Sequence, residues 1–288
     1  MRWHEEHCAK APWRESRDPY HCLVAAVMAQ QTQMSRVMPS YERFIAAFPT
    51  LEALAAATPG AVIRAWTGMG YNQRAVRLHR ASRAVAEHGW PRTAAGLATI
   101  DGIGPFTAGV IASFAFGEPV ACVDTNVRRV LGRMAGDEAI DGKRLRALAD
   151  ESVIADDPGR WNQALMDYGA LVCGVRPACG SCVVAKWCAS RGRDAGGEAS
   201  VADARTAYKA ARDKRESPFH GSTRYFRGRI VEALRALPAG RGLSMAELRA
   251  RIACNGSGPD IAETRRLVDA LGRDGLATVS RGRVSLPD

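Results

Sequence analysis

Leu97-Ala98-Thr99-Ile100-Asp101-Gly102-Ile103-Gly104-Pro105-Phe106-Thr107-Ala108 lies between a helical segment and an apolar helix. Gly102 and Gly104 permit a tight hairpin. The backbone N–H groups of that hairpin, with the N-terminus of the helix that follows, form a nest for one phosphate. A G-x-G turn alone is weak evidence. Further along, Val120-Ala121-Cys122-Val123-Asp124-Thr125-Asn126-Val127-Arg128-Arg129-Val130-Leu131 puts a single acid at the mouth of a helix. Val127, Val130, Leu131 and Met134 are the buried stripe of that helix. In isolation Asp124 reads as an ordinary N-cap.

Helical periodicity runs outward in both directions. Apolar spacing predicts helices within 23–28, 51–66, 75–85, 107–116, 127–134, 144–153 and 161–172, with short Pro, Gly and Asp joints. Alternating strand patterns are scarce before residue 275, so residues 1–190 are expected to be all-α. Residues 191–222 gain Gly, Ala and charge and read as a linker. Residues 223–288 carry helical patterns at 229–237, 244–254 and 262–271, then a hairpin turning at Arg281-Gly282. Ser244 and Glu247 have capping-box spacing. This unit is similar to a winged helix, with a small packing module as the alternative.

Cys8, Cys22, Cys122 and Cys254 are scattered and read as small buried hydrophobes. Cys173, Cys179, Cys182 and Cys188 instead form a C-x5-C-x2-C-x5-C array. Four converging thiolates suit tetrahedral zinc or an iron-sulfur cluster. A single tight knuckle with two longer arms favours [4Fe-4S] over zinc, with a disulfide pair third. Arg176, Lys186 and Arg191 make the loop basic. The formal net charge of +10 and pI near 9.5 favour a polyanionic partner, nucleic acid first, although an Arg-rich composition alone accounts for it equally. No apolar run has the length of a bilayer span and no secretory leader is legible. A cytoplasmic monomer without membrane contact is expected.

Together, the G-I-G turn, an Asp about twenty residues later and the four-cysteine array resemble the helix-hairpin-helix DNA glycosylases, across about residues 12–190. The adenine branch is the nearest likeness: Pro12-Trp13-Arg14, Val27-Met28-Ala29-Gln30-Gln31-Thr32-Gln33, Trp66-Thr67-Gly68-Met69-Gly70-Tyr71, Asp124-Thr125-Asn126 and Asn162 through Asp167 carry it. The resemblance implies a two-lobed, all-α fold with an iron-sulfur cluster loop, here extended by the small C-terminal winged-helix-like domain. It further implies double-stranded DNA as partner, a kinked duplex, a flipped nucleotide, and Asp124 as the catalytic acid residue. Gln30 or Gln31 would fill the vacated stack, with Thr32, Tyr71, Gly102, Gly104 and Thr107 also on DNA. At a helix N-terminus Asp124 is expected to have a low pKa and to stabilise an oxocarbenium-like sugar. Arg74, Arg128 and Arg129 are candidate phosphate contacts, against plain solvated faces.

Three departures bear on the substrate. The position of the leaving-group acid is Ala26, so no carboxylate comes from there. Adenine leaves poorly without ring protonation, whereas a pyrimidine can leave as an N1 anion. The hairpin position that holds a Schiff-base lysine in lyase members is Phe106, which predicts a monofunctional hydrolase. The chain also ends in the winged-helix-like unit rather than a larger domain for oxidised guanine. Ala25, Ala26 and Ala29 are expected to enlarge the base pocket, whose residues include Ala26 and Phe106. The target is therefore expected to be a mismatched or modified pyrimidine: uracil, thymine or a bulky modified cytosine. The alternatives are an adenine glycosylase acting opposite G or 8-oxoguanine, its acid lost naturally or by design, and a non-catalytic DNA binder.

Overall fold

The computed structural model describes residues 2–7, 11–191, 220–254 and 258–288. Cys8 and most of the expected linker lie outside them. The helices are α1 (Arg2–His7), α2 (Pro12–Glu15), α3 (Pro19–Ala29), α4 (Met34–Ala47), α5 (Leu51–Ala56), α6 (Pro59–Ala65), α7 (Gln73–His88), α8 (Ala94–Leu97), α9 (Pro105–Ala115), α10 (Thr125–Ala135), α11 (Gly142–Ser152) and α12 (Pro158–Leu171). After the cysteine loop come α13 (Thr223–Arg235), β1 (Leu243–Ser244), α14 (Met245–Ile252), α15 (Ile261–Arg273), β2 (Thr278–Ser280) and β3 (Arg283–Ser285). The chain divides into two units: residues 1–26, 90–99 and 103–214, and residues 27–89, 100–102 and 215–288.

In the first unit four helix starts have a side chain ready for their orphan amides. Thr93 caps α8, Asp124 caps α10, Asp141 caps α11 and Asp157 caps α12. Val127, Leu131, Ile140, Leu145 and Ala149 form a shared core. Close packing depends on glycine: a Cβ on Gly159 would lie 2.9 Å from Phe114 Cα, and one on Gly169 2.7 Å from Asn126 Cβ. Asp167 on α12 accepts from Arg14 at 2.9 Å and faces His4 at 3.2 Å, tying the N-terminal segment to α12.

In the second unit the apolar run 51–66 forms two helices, not one. Pro59 has no N–H to donate and biases Thr58 to an extended ψ of 148°, so Thr58 caps a new helix. Helix α4 escaped the sequence reading because Pro39 interrupts it, yet Val37, Tyr41 and Phe44 fall on one buried stripe. Phe44 meets the Trp66 ring edge-on at 5.9 Å.

The C-terminal segment has the three-helix, hairpin-closed order expected of a winged helix, with β1 added to give an antiparallel sheet of order β1-β3-β2. Arg281 and Gly282 both have positive φ (48° and 72°), as a two-residue hairpin turn requires. The Ser244–Glu247 capping box is present. The segment's core is not separate: Ile63 and Val76 are buried with Ile230, Leu248, Leu267 and Val284. Two buried cysteines fit the hydrophobe reading, with burial pushing the thiols of Cys22 and Cys122 up to about 12. Cys254 is exposed and does not fit it.

Candidate active site

Asp124 owes its position to what precedes and follows it. The buried Asn162 amide accepts from Cys122 N at 2.8 Å and donates to Val120 O at 2.8 Å, fixing the approach to α10. Asp124 Oδ1 then accepts from Asn126 N at 2.9 Å and Val127 N at 2.7 Å. Asn126 Nδ2 donates to Oδ2 at 3.1 Å. The carboxylate is half-buried and lines a cavity of about 420 Å³ with Arg128 and Arg146. Burial holds its pKa above the usual aspartate range, against the lowering pull of the Val127 and Asn126 amides, the Asn126 side chain and Arg129. The low value expected from the helix end is therefore corrected: desolvation outweighs it.

The arginines are committed inward. Arg129 donates to Asn126 Oδ1 at 2.8 Å, to Gly169 O at 2.6 Å and through Nε to Cys173 O at 2.7 Å. It joins the holder of Asp124 to the start of the cysteine loop. Arg128 donates to Ile140 O at 2.8 Å. Arg74, 7% exposed, donates to Val27 O, Met28 O and Gln30 O at 3.0, 3.0 and 2.5 Å, and to Thr32 Oγ1 and Met69 O at 3.1 and 3.0 Å. Phosphate contact is thus the wrong role for Arg74. Its guanidinium satisfies the unpaired carbonyls ending α3 and holds the Gln-Gln-Thr turn.

In the second unit, Gln31 (φ 53°) and Tyr71 (φ 43°) are exposed and left-handed. Gln30 is half-buried, and Thr32 is occupied by Arg74 and Gln30 O. Gly102 has φ +95°, and a Cβ there would meet Arg77 O at 2.6 Å, so the turn requires glycine. Gly104, in the first unit, has an ordinary φ of −79° and open space around it. Its glycine is not needed for the turn itself. Thr107 is 1% exposed, which corrects its assignment to the DNA surface. Phe106 is half-buried in the first turn of α9. Ala25 and Ala26 are buried at 5% and 7%, whereas Ala29, the last residue of α3, is exposed.

Cys173, Cys179, Cys182 and Cys188 are free thiols on the wall of one cavity. Among the described residues no three His, Cys, Asp or Glu side chains close on a single metal ion. The buried Arg133 faces the same cavity, donating to Cys173 Sγ at 3.7 Å and Gly174 O at 2.7 Å. Tyr168 Oη donates to Cys182 Sγ at 3.0 Å. Four thiols with a buried cation and a hydroxyl donor fit an anionic thiolate-bound cluster. Lys186 lies over the exposed Trp187 ring at 4.0 Å. The roles of Asn126 and Arg133 went unread in the sequence, and Arg129 was read as a phosphate contact instead. Their signal was polar residues at i, i+3 and i+7 beside the apolar stripe of α10.

A capped aspartate, a glycine-requiring turn and a thiol-lined cavity on this helical frame define the class of helix-hairpin-helix proteins that act on DNA bases. Residues 24–153 match the model of the HhH-GPD superfamily base excision DNA repair proteins. The chain is 34% identical over 301 residues to the adenine DNA glycosylase of Mycobacterium tuberculosis (strain ATCC 25618 / H37Rv), covering 100% of this chain and 92% of that protein. It is 37% identical to that of Homo sapiens, over 67% of this chain and 39% of the relative. A thermostable thymine-DNA glycosylase superposes with TM-score 0.61 at 29% identity, over 64% of this chain and 89% of that one. An endonuclease III in a non-covalent DNA complex shares the fold at TM-score 0.57 and 22% identity, over 67% and 92%. The chain belongs to the HhH-GPD superfamily of base excision DNA repair proteins and is a DNA glycosylase, a hydrolase of N-glycosyl bonds. The mycobacterial match runs the full length of the chain. A short C-terminal unit therefore does not separate this chain from proteins named adenine glycosylases, and that departure loses its weight.

Proposed function

We propose that the enzyme is a monofunctional glycosylase that removes a mismatched or modified pyrimidine from double-stranded DNA. The observation that carries this reading is Ala26, a buried methyl where the resemblance calls for the leaving-group acid. Asp124 stabilises positive charge growing on the sugar and orients the attacking water. With no acid from position 26, a base that leaves as an anion loses less than adenine, for which general acid catalysis is worth about 10²- to 10⁴-fold. The likeness to a thymine-DNA glycosylase supports the same substrate class. Phe106 cannot form a Schiff base, which supports hydrolysis without strand cleavage. Adenine release is the second reading, favoured by the full-length match to a protein named for it.

Single-turnover base release from duplexes holding U:G, T:G, 5-substituted cytosines, and adenine opposite G or 8-oxoguanine separates the two. Pyrimidine release alone supports the proposal. Adenine release by the wild type overturns it, and adenine release gained only in Ala26→Glu assigns the pocket to a purine. We further propose that the four cysteines hold a [4Fe-4S] cluster, which when bound supplies a cross-link for its loop. Iron and labile sulfide at four each per chain are expected, and zinc in their place would refute it.

A further inference from the structure

A cavity of about 600 Å³ opens beside the Gln-Gln-Thr segment of the second unit. Gln31 and Tyr71 border it, and Arg36, Arg77, Arg224 and Arg227 line it, with no carboxylate among its described lining residues. Arg36, Arg77 and Arg224 are exposed. Arg227 pairs with Asp274, whose other oxygen accepts from Gln73 at 3.1 Å.

Helix α13 cannot drift from this position. Arg235 donates to Ile63 O and Asn72 Oδ1, both at 2.8 Å. Gly60 N donates to Pro287 O at 2.5 Å, where a side chain on Gly60 would strike Pro287 O and Asp288. Ile63 and Val76 share one core with Ile230, Val231 and Leu234. The C-terminal segment thus presents Arg224 at a fixed place next to the residues that enter the stack.

We propose that this groove seats the phosphodiester backbone of duplex DNA beside the flipping site, and that α13, not α15, is the DNA-contacting helix of the C-terminal segment. Guanidinium forks fit phosphate oxygens, and the exposed Arg36, Arg77 and Arg224 lie along a lining without a carboxylate, so their field favours a polyanion. A winged helix would offer its third helix, but the exposed charged residues of α15 are mixed in sign: Glu263, Arg265, Arg266, Asp269 and Arg273. The proposal rests on the reading that the Gln-Gln-Thr segment enters DNA.

The test is duplex affinity between about 50 and 200 mM salt, using the full chain and an uncleavable abasic-site analogue. Arg36→Ala and Arg224→Ala should each flatten the log–log salt slope by about 0.9, Arg224→Lys should restore it, and Arg266→Ala should leave it unchanged. A wild-type slope in Arg224→Ala, or a flattened slope in Arg266→Ala, would overturn the assignment to α13, and a wild-type slope in Arg36→Ala as well would overturn the groove. A wild type that neither binds duplex nor releases any base would instead remove the DNA reading of the Gln-Gln-Thr segment, and the groove with it.

Discussion

Asp124 caps α10, and the proposed function asks its carboxylate to be ionised as well, to stabilise the sugar cation, so the two demands pull apart. Its pKa is raised by burial, so folding favours the protonated form. Stability from this group is fully present below the unfolded pKa and is lost as pH rises through the raised folded value. Asp124→Asn keeps a cap and removes the buried charge. It is expected to raise the thermal midpoint at pH 7, with the gain vanishing in acid, while base release falls by about 10²-fold or more. A midpoint below the wild type at pH 7 would contradict this account. Because the proposed role needs the ionised form, activity is expected to fall, as pH drops, above the ordinary aspartate pKa of about 3.9. Of this residue, the sequence made the position and the capping role legible. The sign of the pKa shift was not, because it depends on how much water reaches the carboxylate.

Among elements, the hairpin separates two glycines that look alike in the sequence. Gly102 is required by its own φ and by the Arg77 carbonyl, whereas Gly104 has ordinary backbone and nothing near it. Gly102→Ala is expected to cost about 1–3 kcal/mol in denaturant unfolding. Gly104→Ala should unfold like the wild type but bind duplex more weakly, and equal binding would show that no backbone approaches there. Helix boundaries set by Pro, Gly and capping acids were legible because those signals are local. Helix α4 was not, since Pro39 lies within it and only packing against its neighbours makes the stripe on Val37, Tyr41 and Phe44 visible. The inward commitment of Arg74 and Arg129 was likewise hidden. An arginine on a helix reads as a surface charge until the carbonyls ending another helix are brought to it.

For the whole molecule, the sequence suggested a catalytic body, a linker and a separable tail. The linker lies outside the described residues, but the tail shares its core with Ile63 and Val76. A chain truncated after residue 191 is therefore expected to aggregate or to lose its cooperative thermal transition. A soluble truncation with the wild-type midpoint would show that this shared core contributes little. The left-handed turns at Gln31 and Tyr71 set a further balance for the molecule, each costing about 1 kcal/mol in a non-glycine residue. Gln31→Gly should raise unfolding stability by up to about 1 kcal/mol and lower affinity for a kinked duplex; an unchanged affinity would mean the side chain at 31 has no part in the kink. If Gln31 enters the duplex as proposed, a lineage selected for survival in heat alone would drift toward glycine at this turn and toward a genome less well surveyed, with thermal tolerance and mutation rate set against each other at a single codon.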